Sequence, residues 1–343
     1  MKKPFAFVIR MSAYACAVLL TLSACKPAGP DERPSGTATP SGSTTSAGPT
    51  SESLPPDPSL PVEKPSPTNP STRPGTGIVT GKPGAGGTYT GYAPLPEISF
   101  KANDPENSRG LPTKRIAHSY GVAKDGVAHR ISVENQKFFE EKRCNAVTLD
   151  TKSPGKVLYL TFDCGWENGY TAKVLDTLRE KNVPAAFFAT LHHIKTEPEL
   201  TARMILEGHI VGNHSDKHPD FTAISRERMA QELQACDNYL RLNFGYTAPY
   251  FRFPEGSYSE NALELVQSLG YKSVFWSCSY PDWDVNNTKG KQYAFDTVTQ
   301  RLHPGAVILL HAVSPDNAAA LGDIIDWARA QGYEFRALTQ LPN

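Results

Sequence analysis

The chain has 343 residues, and its 35 Lys and Arg balance 35 Asp and Glu, so the formal charge at pH 7 is zero. That balance supplies neither the basic footprint of a nucleic-acid binder nor an acidic tail. The length admits two average domains or one large α/β barrel. The hydrophobic content of 39% is low because the first hundred residues are depleted, while the remainder is ordinary.

In chain order, Lys2, Lys3 and Arg10 precede an apolar run over 13–22, too short for a plain transmembrane anchor. Leu22-Ser23-Ala24-Cys25 comes next and resembles a bacterial lipoprotein cleavage box, which predicts export with removal of 1–24 and lipidation of Cys25. Residues 25–95 are rich in Pro, Ser, Thr and Gly. With almost no large apolar side chains they cannot offset the entropy of ordering, so a disordered tether is expected. Cys144, Cys164, Cys236 and Cys278 remain beyond it. Their spacing fixes no disulfide framework, and free buried thiols fit equally well.

Residues 96–155 show weak periodicity and read as an N-terminal extension packing on the domain that begins at 156, with a helix over 133–142. From 156 the pattern alternates. Strands are expected at 157–162, 185–190, 209–213, 250–253, 273–277, 306–310 and 333–338. Helices are expected at 170–181, 197–207, from a Ser225 cap to 243, from a Ser259 cap to Gly270, at 293–302 and at 316–330. Strict alternation implies a parallel sheet with right-handed crossovers. Seven such units suit an α/β fold close to a closed barrel, with an open doubly wound sheet as the other architecture.

Five polar clusters sit just past predicted strands: Asp163-Cys164-Gly165, His214 to His218, Arg252-Phe253-Pro254, Asp282-Trp283 and Leu310-His311. Each alone has an ordinary structural explanation. Together they fall at the same end of successive strands, where a parallel barrel gathers side chains into one pocket. Asp163 suits a general base. Arg252 suits the cation that keeps it ionised. His311, with Asp282 to raise its pKa, suits a general acid, and Trp283 suits a pocket wall. His214 and His218, four apart, would share one side of a helical turn as two ligands for one zinc. Pro254 and Gly256 shape a loop whose N–H groups, near Glu255 and Gly256, could face a substrate oxygen.

Taken in order, Thr161-Phe162-Asp163, His214-Ser215-x-x-His218, Arg252-x-Pro254, Asp282-Trp283 and Leu310-His311 resemble the five motifs of polysaccharide deacetylases with a NodB-homology domain. The resemblance spans 156–343. The longer strings from Tyr159 to Thr171, from Gly212 to Thr222 and from Leu310 to Ala318 are similar to the delta-lactam-biosynthetic de-N-acetylases. The resemblance implies a distorted (β/α)7 barrel that removes N-acetyl groups from peptidoglycan N-acetylmuramic acid, with a divalent metal, zinc being the expected ion. N-acetylglucosamine of the wall, a chitooligosaccharide, or an inactive wall-binding lipoprotein are the alternatives. It implies Asp163, His311, Arg252 and Asp282 as catalytic residues. Pro254, Glu255, Gly256, Trp283 and Leu310 would contact substrate, and His214 and His218 would bind the metal. Cys164 stands where most of the family has a metal-ligating Asp, so it either adds a thiolate ligand or stands aside. Glu255 stands where the family often has an aromatic or basic residue. A monomer on glycan strands, attached to a membrane through Cys25 and facing the wall, completes the expectation.

Overall fold

The structure, a computed structural model, describes residues 87–247 and 249–342. The expected signal at 1–24, the Cys25 lipid site and the tether up to residue 86 lie outside the described residues. Seven strands succeed one another: β1 (Val157–Cys164), β2 (Ala185–Ala189), β3 (Ile210–Asn213), β4 (Tyr250–Phe251), β5 (Lys272–Val274), β6 (Ala306–His311) and β7 (Glu334–Phe335). All pair in parallel, in the order β1-β2-β3-β4-β5, with β6 on the other edge of β1. β1 is buried along its whole length, as a central parallel strand covered on both faces must be.

The ring closes just past β5. There the N–H groups of Ser277 and Cys278 donate to the Val307 carbonyl, and the Leu309 N–H donates to Cys278 O. The expected fifth strand at 273–277 is therefore split. Pairing to β4 ends with β5, and the chain turns to share its hydrogen bonds with β6. β7 pairs with Val157 and Leu158 at the start of β1. Leu158 also pairs with Ala306 of β6, so β7 occupies the edge of β1 that β2 takes further along. Six strands thus run round the ring and the seventh sits at its base, which is the distortion of this (β/α)7 barrel.

Local chemistry sets the crossovers. Ser225, Ser259 and Ser314 each accept an N–H of the first turn of the helix they cap: Arg226–Phe244, Glu260–Ser268 and Pro315–Ala330. Thr190 does the same for Leu191–Thr196, a helix the periodicity did not reveal because it is less than two turns long. It precedes the expected helix at Pro198–Leu206.

The extension is held along its length. The Tyr89 and Leu95 N–H groups donate to the carbonyls of Asn243 and Arg241. Those of Ile98 and Phe100 donate to the side chains of Asn238 and Gln234 on the same helix. The tether expected to run through 95 is accordingly fixed to the barrel from Tyr89. Gly245, with φ 61°, ends that helix, and a Cβ there would lie 2.4 Å from Ala93 O. A side chain at 245 would push the extension off. The guanidinium of Arg226, only 2% exposed, ties Asn103 to Asn261 and Glu264. The extension's helix is Arg130–Glu141, and its strand Ala146–Val147 pairs in parallel with β5. Among the described residues all four cysteines are free thiols. No described helix is long and apolar enough to cross a membrane.

Candidate active site

Asp163 of β1 and His311 of β6 are register partners on adjacent parallel strands. Neighbouring strands lie about 4.8 Å apart, so the ladder alone sets these two side chains beside each other at the barrel mouth. Arg252, just past β4, is fully buried beneath them. Its Nη1 donates to Asp163 Oδ1 at 2.7 Å, Nη2 to Thr161 Oγ1 at 2.9 Å, and Nε to the Val274 carbonyl at 2.9 Å. The Phe188 ring lies 4.2 Å from the guanidinium carbon. Burial alone would push the Asp163 carboxyl up. The charge of Arg252, with that of His311 and the Arg252 hydrogen bond, overrides it and holds the carboxyl below the usual range, ionised and fixed in direction.

His311 is backed by Asp282. Its Nδ1 lies 2.6 Å from Asp282 Oδ1, and its backbone N–H donates to Oδ2 at 2.8 Å. Burial disfavours the imidazolium, but the Asp282 charge and hydrogen bond outweigh it and raise the His311 pKa. Behind Asp282 stand two residues to which motif reading assigns no role. Asn317 Nδ2 donates to Asp282 Oδ2, and Tyr280 O–H donates to Asn317 Oδ1 at 2.6 Å. A buried amide on the first turn of a capped helix is the signal that could have found Asn317. Trp283 is 56% exposed, and its ring lies 5.8 Å from that of His311.

His214 and His218 meet with ring centroids 4.8 Å apart, but not on a helical turn. The segment is a loop in which Ser215 (φ 73°) and His218 (φ 55°) are left-handed. Three polar groups hold it. Asn213 Oδ1 accepts from Ser215 N–H, Ser215 Oγ accepts from His218 N–H, and Glu232 Oε2 accepts from the N–H groups of Asp216 and Lys217. His214 Nδ1 is 2.9 Å from Arg252 O, which leaves Nε2 directed at Asp163 Oδ2, 3.6 Å away. Burial lowers the pKa of both imidazoles, that of His214 to about 4.

Two neutral imidazoles are donors that fit a divalent cation, with water completing its shell. Among the described residues no group of three or more His, Cys, Asp and Glu converges for that purpose. Cys164 in particular is fully buried in the apolar core, where burial pushes its thiol pKa well up. Its sulfur lies among core side chains, and among the described residues it joins no group of His, Asp or Glu. Leu310, expected to touch substrate, is 1% exposed and belongs to the core beneath His311. Pro254 and Gly256 are buried too, and the Gly256 N–H is spent on Phe253 O. Of the expected contact set, Glu255 and Trp283 alone are exposed.

A family model described as polysaccharide deacetylase matches residues 150–274, which carry Asp163, His214, His218 and Arg252. The peptidoglycan-N-acetylmuramic acid deacetylase PdaA of Bacillus subtilis (strain 168) is 46% identical over 187 residues, spanning 54% of this chain and 71% of that one. The chain belongs to the polysaccharide deacetylase family. A chitooligosaccharide deacetylase of Rhizobium leguminosarum bv. trifolii is 31% identical over 202 residues, spanning 55% of this chain and 93% of that one. The solved structure of Bacillus subtilis PdaA, described as a family 4 carbohydrate esterase, superposes with a TM-score of 0.62 at 39% identity, over 67% of this chain and 98% of that one. The barrel of this deacetylase is thus the family's barrel, and Asp282 and His311 lie in the part beyond the family model.

Proposed function

We propose that the protein hydrolyses the N-acetyl group of N-acetylmuramic acid in peptidoglycan, releasing acetate and leaving a free sugar amine. The observation that carries the reading is the register pair Asp163 and His311, each with its own buried orienting partner, Arg252 and Asp282. One group is kept deprotonated and the other protonated over the same pH range, as an amide-hydrolysing base and acid must be. Asp163 removes a proton from the attacking water. His311 Nε2 delivers a proton to the departing nitrogen, since its Nδ1 is held by Asp282. Trp283 walls the sugar, and the Glu255 N–H is the loop donor left for the developing oxyanion. His214 and His218 would hold the divalent cation, which when bound polarises the acetyl carbonyl and acidifies water.

Likeness to PdaA supports muramic acid as the target, and likeness to a chitooligosaccharide deacetylase supports the second reading, an N-acetylglucosamine polymer. We further infer from the sequence that the domain, from 156 onward, is exported and tethered through lipidated Cys25 so that it meets the wall. Purified protein incubated with N-acetylated peptidoglycan, then assayed for acetate and by muropeptide mass analysis, tests the function. Loss of 42 mass units per acetyl group (roughly, the mass of C2H2O) on muramic acid is expected. The same loss confined to glucosamine would replace the first reading by the second.

A further inference from the structure

Arg115 comes from the extension, outside the family-matched residues, yet its guanidinium meets the loops that follow His218 and Arg252 at the barrel mouth. The chain around it is fixed there by backbone. Ile116 and Ala117 pair antiparallel with Tyr258 and Ser257, and the His118 N–H donates to Gly256 O. His118 Nε2 lies 2.8 Å from the Trp276 carbonyl, and its ring packs 4.8 Å from Phe275. The Phe275 carbonyl in turn accepts from Arg252. Arg115 therefore rides on the same segment that backs the catalytic arginine.

The guanidinium joins two loops of the site. Nε donates to Asp220 Oδ2 at 2.9 Å, two residues past His218, and Nη2 lies 3.4 Å from Glu255 Oε2, on the loop just past Arg252. Glu255 is itself close enough to act electrostatically on His218. These contacts use the side edge of the fork. Nη1 has no partner among the described residues, and the side chain is 49% exposed. Arginine presents its donors in a rigid planar fork, so fixing one edge aims the other.

Muramic acid differs from glucosamine by a lactyl ether on C3, next to the acetamide on C2. A group that reads its carboxylate must stand at the rim of the same site, a few ångströms from the scissile amide. We propose that Arg115 is a specificity-determining residue whose Nη1/Nη2 edge binds the free lactyl carboxylate of a peptide-free muramic acid. The proposal rests on the muramic acid reading above. Asp220 keeps the guanidinium in place, and Glu255, the longer and more exposed contact, is the partner that the lactyl carboxylate displaces.

The test compares a peptide-free muramic acid glycan, the same glycan with its lactyl carboxyls converted to methylamides, and an N-acetylglucosamine oligomer of equal length. For the full chain, kcat/KM on the free carboxylate exceeds that on the methylamide by about 10- to 100-fold, the range of one charge-assisted pair. In Arg115→Ala that ratio falls toward one, and Arg115→Lys retains part of it. An equal loss on both glycans would make Arg115 a structural brace and overturn the proposal, as would an unchanged ratio. Absence of acetate release from every muramic glycan by the unaltered protein, with release from the glucosamine oligomer, would remove the muramic reading and this proposal with it. Release from the muramic glycan with an unchanged Arg115→Ala ratio would sink the arginine assignment alone.

Discussion

Asp163 and His311 stand opposite one another on hydrogen-bonded strands, whereas His214 and His218 meet across a loop with two left-handed residues. The first pair needs only the strand period and the register. The second needs Asn213, Ser215 and Glu232 to hold a backbone that β-carbons disfavour. One barrel mouth thus combines a carboxylate–imidazole pair fixed by the sheet with an imidazole pair fixed by side-chain acceptors. The two halves should fail in different ways.

The sheet-fixed half carries the largest effect. Asp163→Asn keeps the shape but removes the base, and acetate release should fall by about 10²- to 10⁴-fold. The same change leaves the buried Arg252 guanidinium without its anion, which costs about 3–5 kcal/mol, so thermal unfolding should shift down with it. Activity is to be measured where circular dichroism still shows the folded state. Full activity in that variant would break the assignment of the base.

Next comes the acid side, read by pH. His311 must be protonated to donate, so activity falls as pH rises through its raised pKa. Asp163 must be ionised and His214 and His218 neutral, so on the acid side activity falls as pH drops through the lowered pKa values of the two imidazoles, that of His214 about 4, before Asp163 is protonated. Asp282→Asn removes the anion that raises the His311 pKa, and the alkaline limb of kcat/KM should move to lower pH while the acid limb stays. A shift of the acid limb instead would mean that Asp282 serves the imidazole pair or the base.

The loop-fixed half should respond through the cation. His214→Ala, read by metal content and by activity after chelation and zinc return, should lose both bound metal and its rescue. Ser215→Ala should act more gently. It strands the His218 N–H at a cost of about 1–3 kcal/mol, visible as a lower unfolding temperature and a weakened zinc affinity. Smallest of all, Cys164→Ala should leave turnover and zinc affinity unchanged and cost about 1 kcal/mol of stability, since the thiol only fills core. Loss of zinc affinity there would reinstate a thiolate ligand.

Much of this arrangement is legible along the chain, for definite reasons. β1 reads as an apolar run ending in Asp163, β6 as an apolar run ending in His311, and Ser225 and Ser259 announce their helices by capping chemistry. His214 and His218 meet as the spacing implies, but across a loop and not on a helical turn, because a four-residue spacing says nothing about left-handed turns. Motif strings place Leu310 and Gly256 among the substrate contacts because they do not distinguish a residue that meets the sugar from one that holds its neighbour. Asn317 lies in the string from Leu310 to Ala318 with no role attached to it, and Tyr280 lies in none; the bonds from Asn317 to Asp282 and from Tyr280 to Asn317 form only when the helix Pro315–Ala330 docks.

Legible from the chain alone are the alternation of strand and helix, the strand tips that bear Asp163 and His311, and family membership. Each of these comes from hydrophobic period and short-range residue chemistry. The tertiary structure decided that β7 leaves the ring, that Cys164 is sealed in the core, that the two imidazoles meet through a strained loop, and that Arg115 reaches the mouth from an extension with no motif of its own. Those outcomes depend on contacts between segments far apart in the chain, and local propensity and spacing carry no information about them.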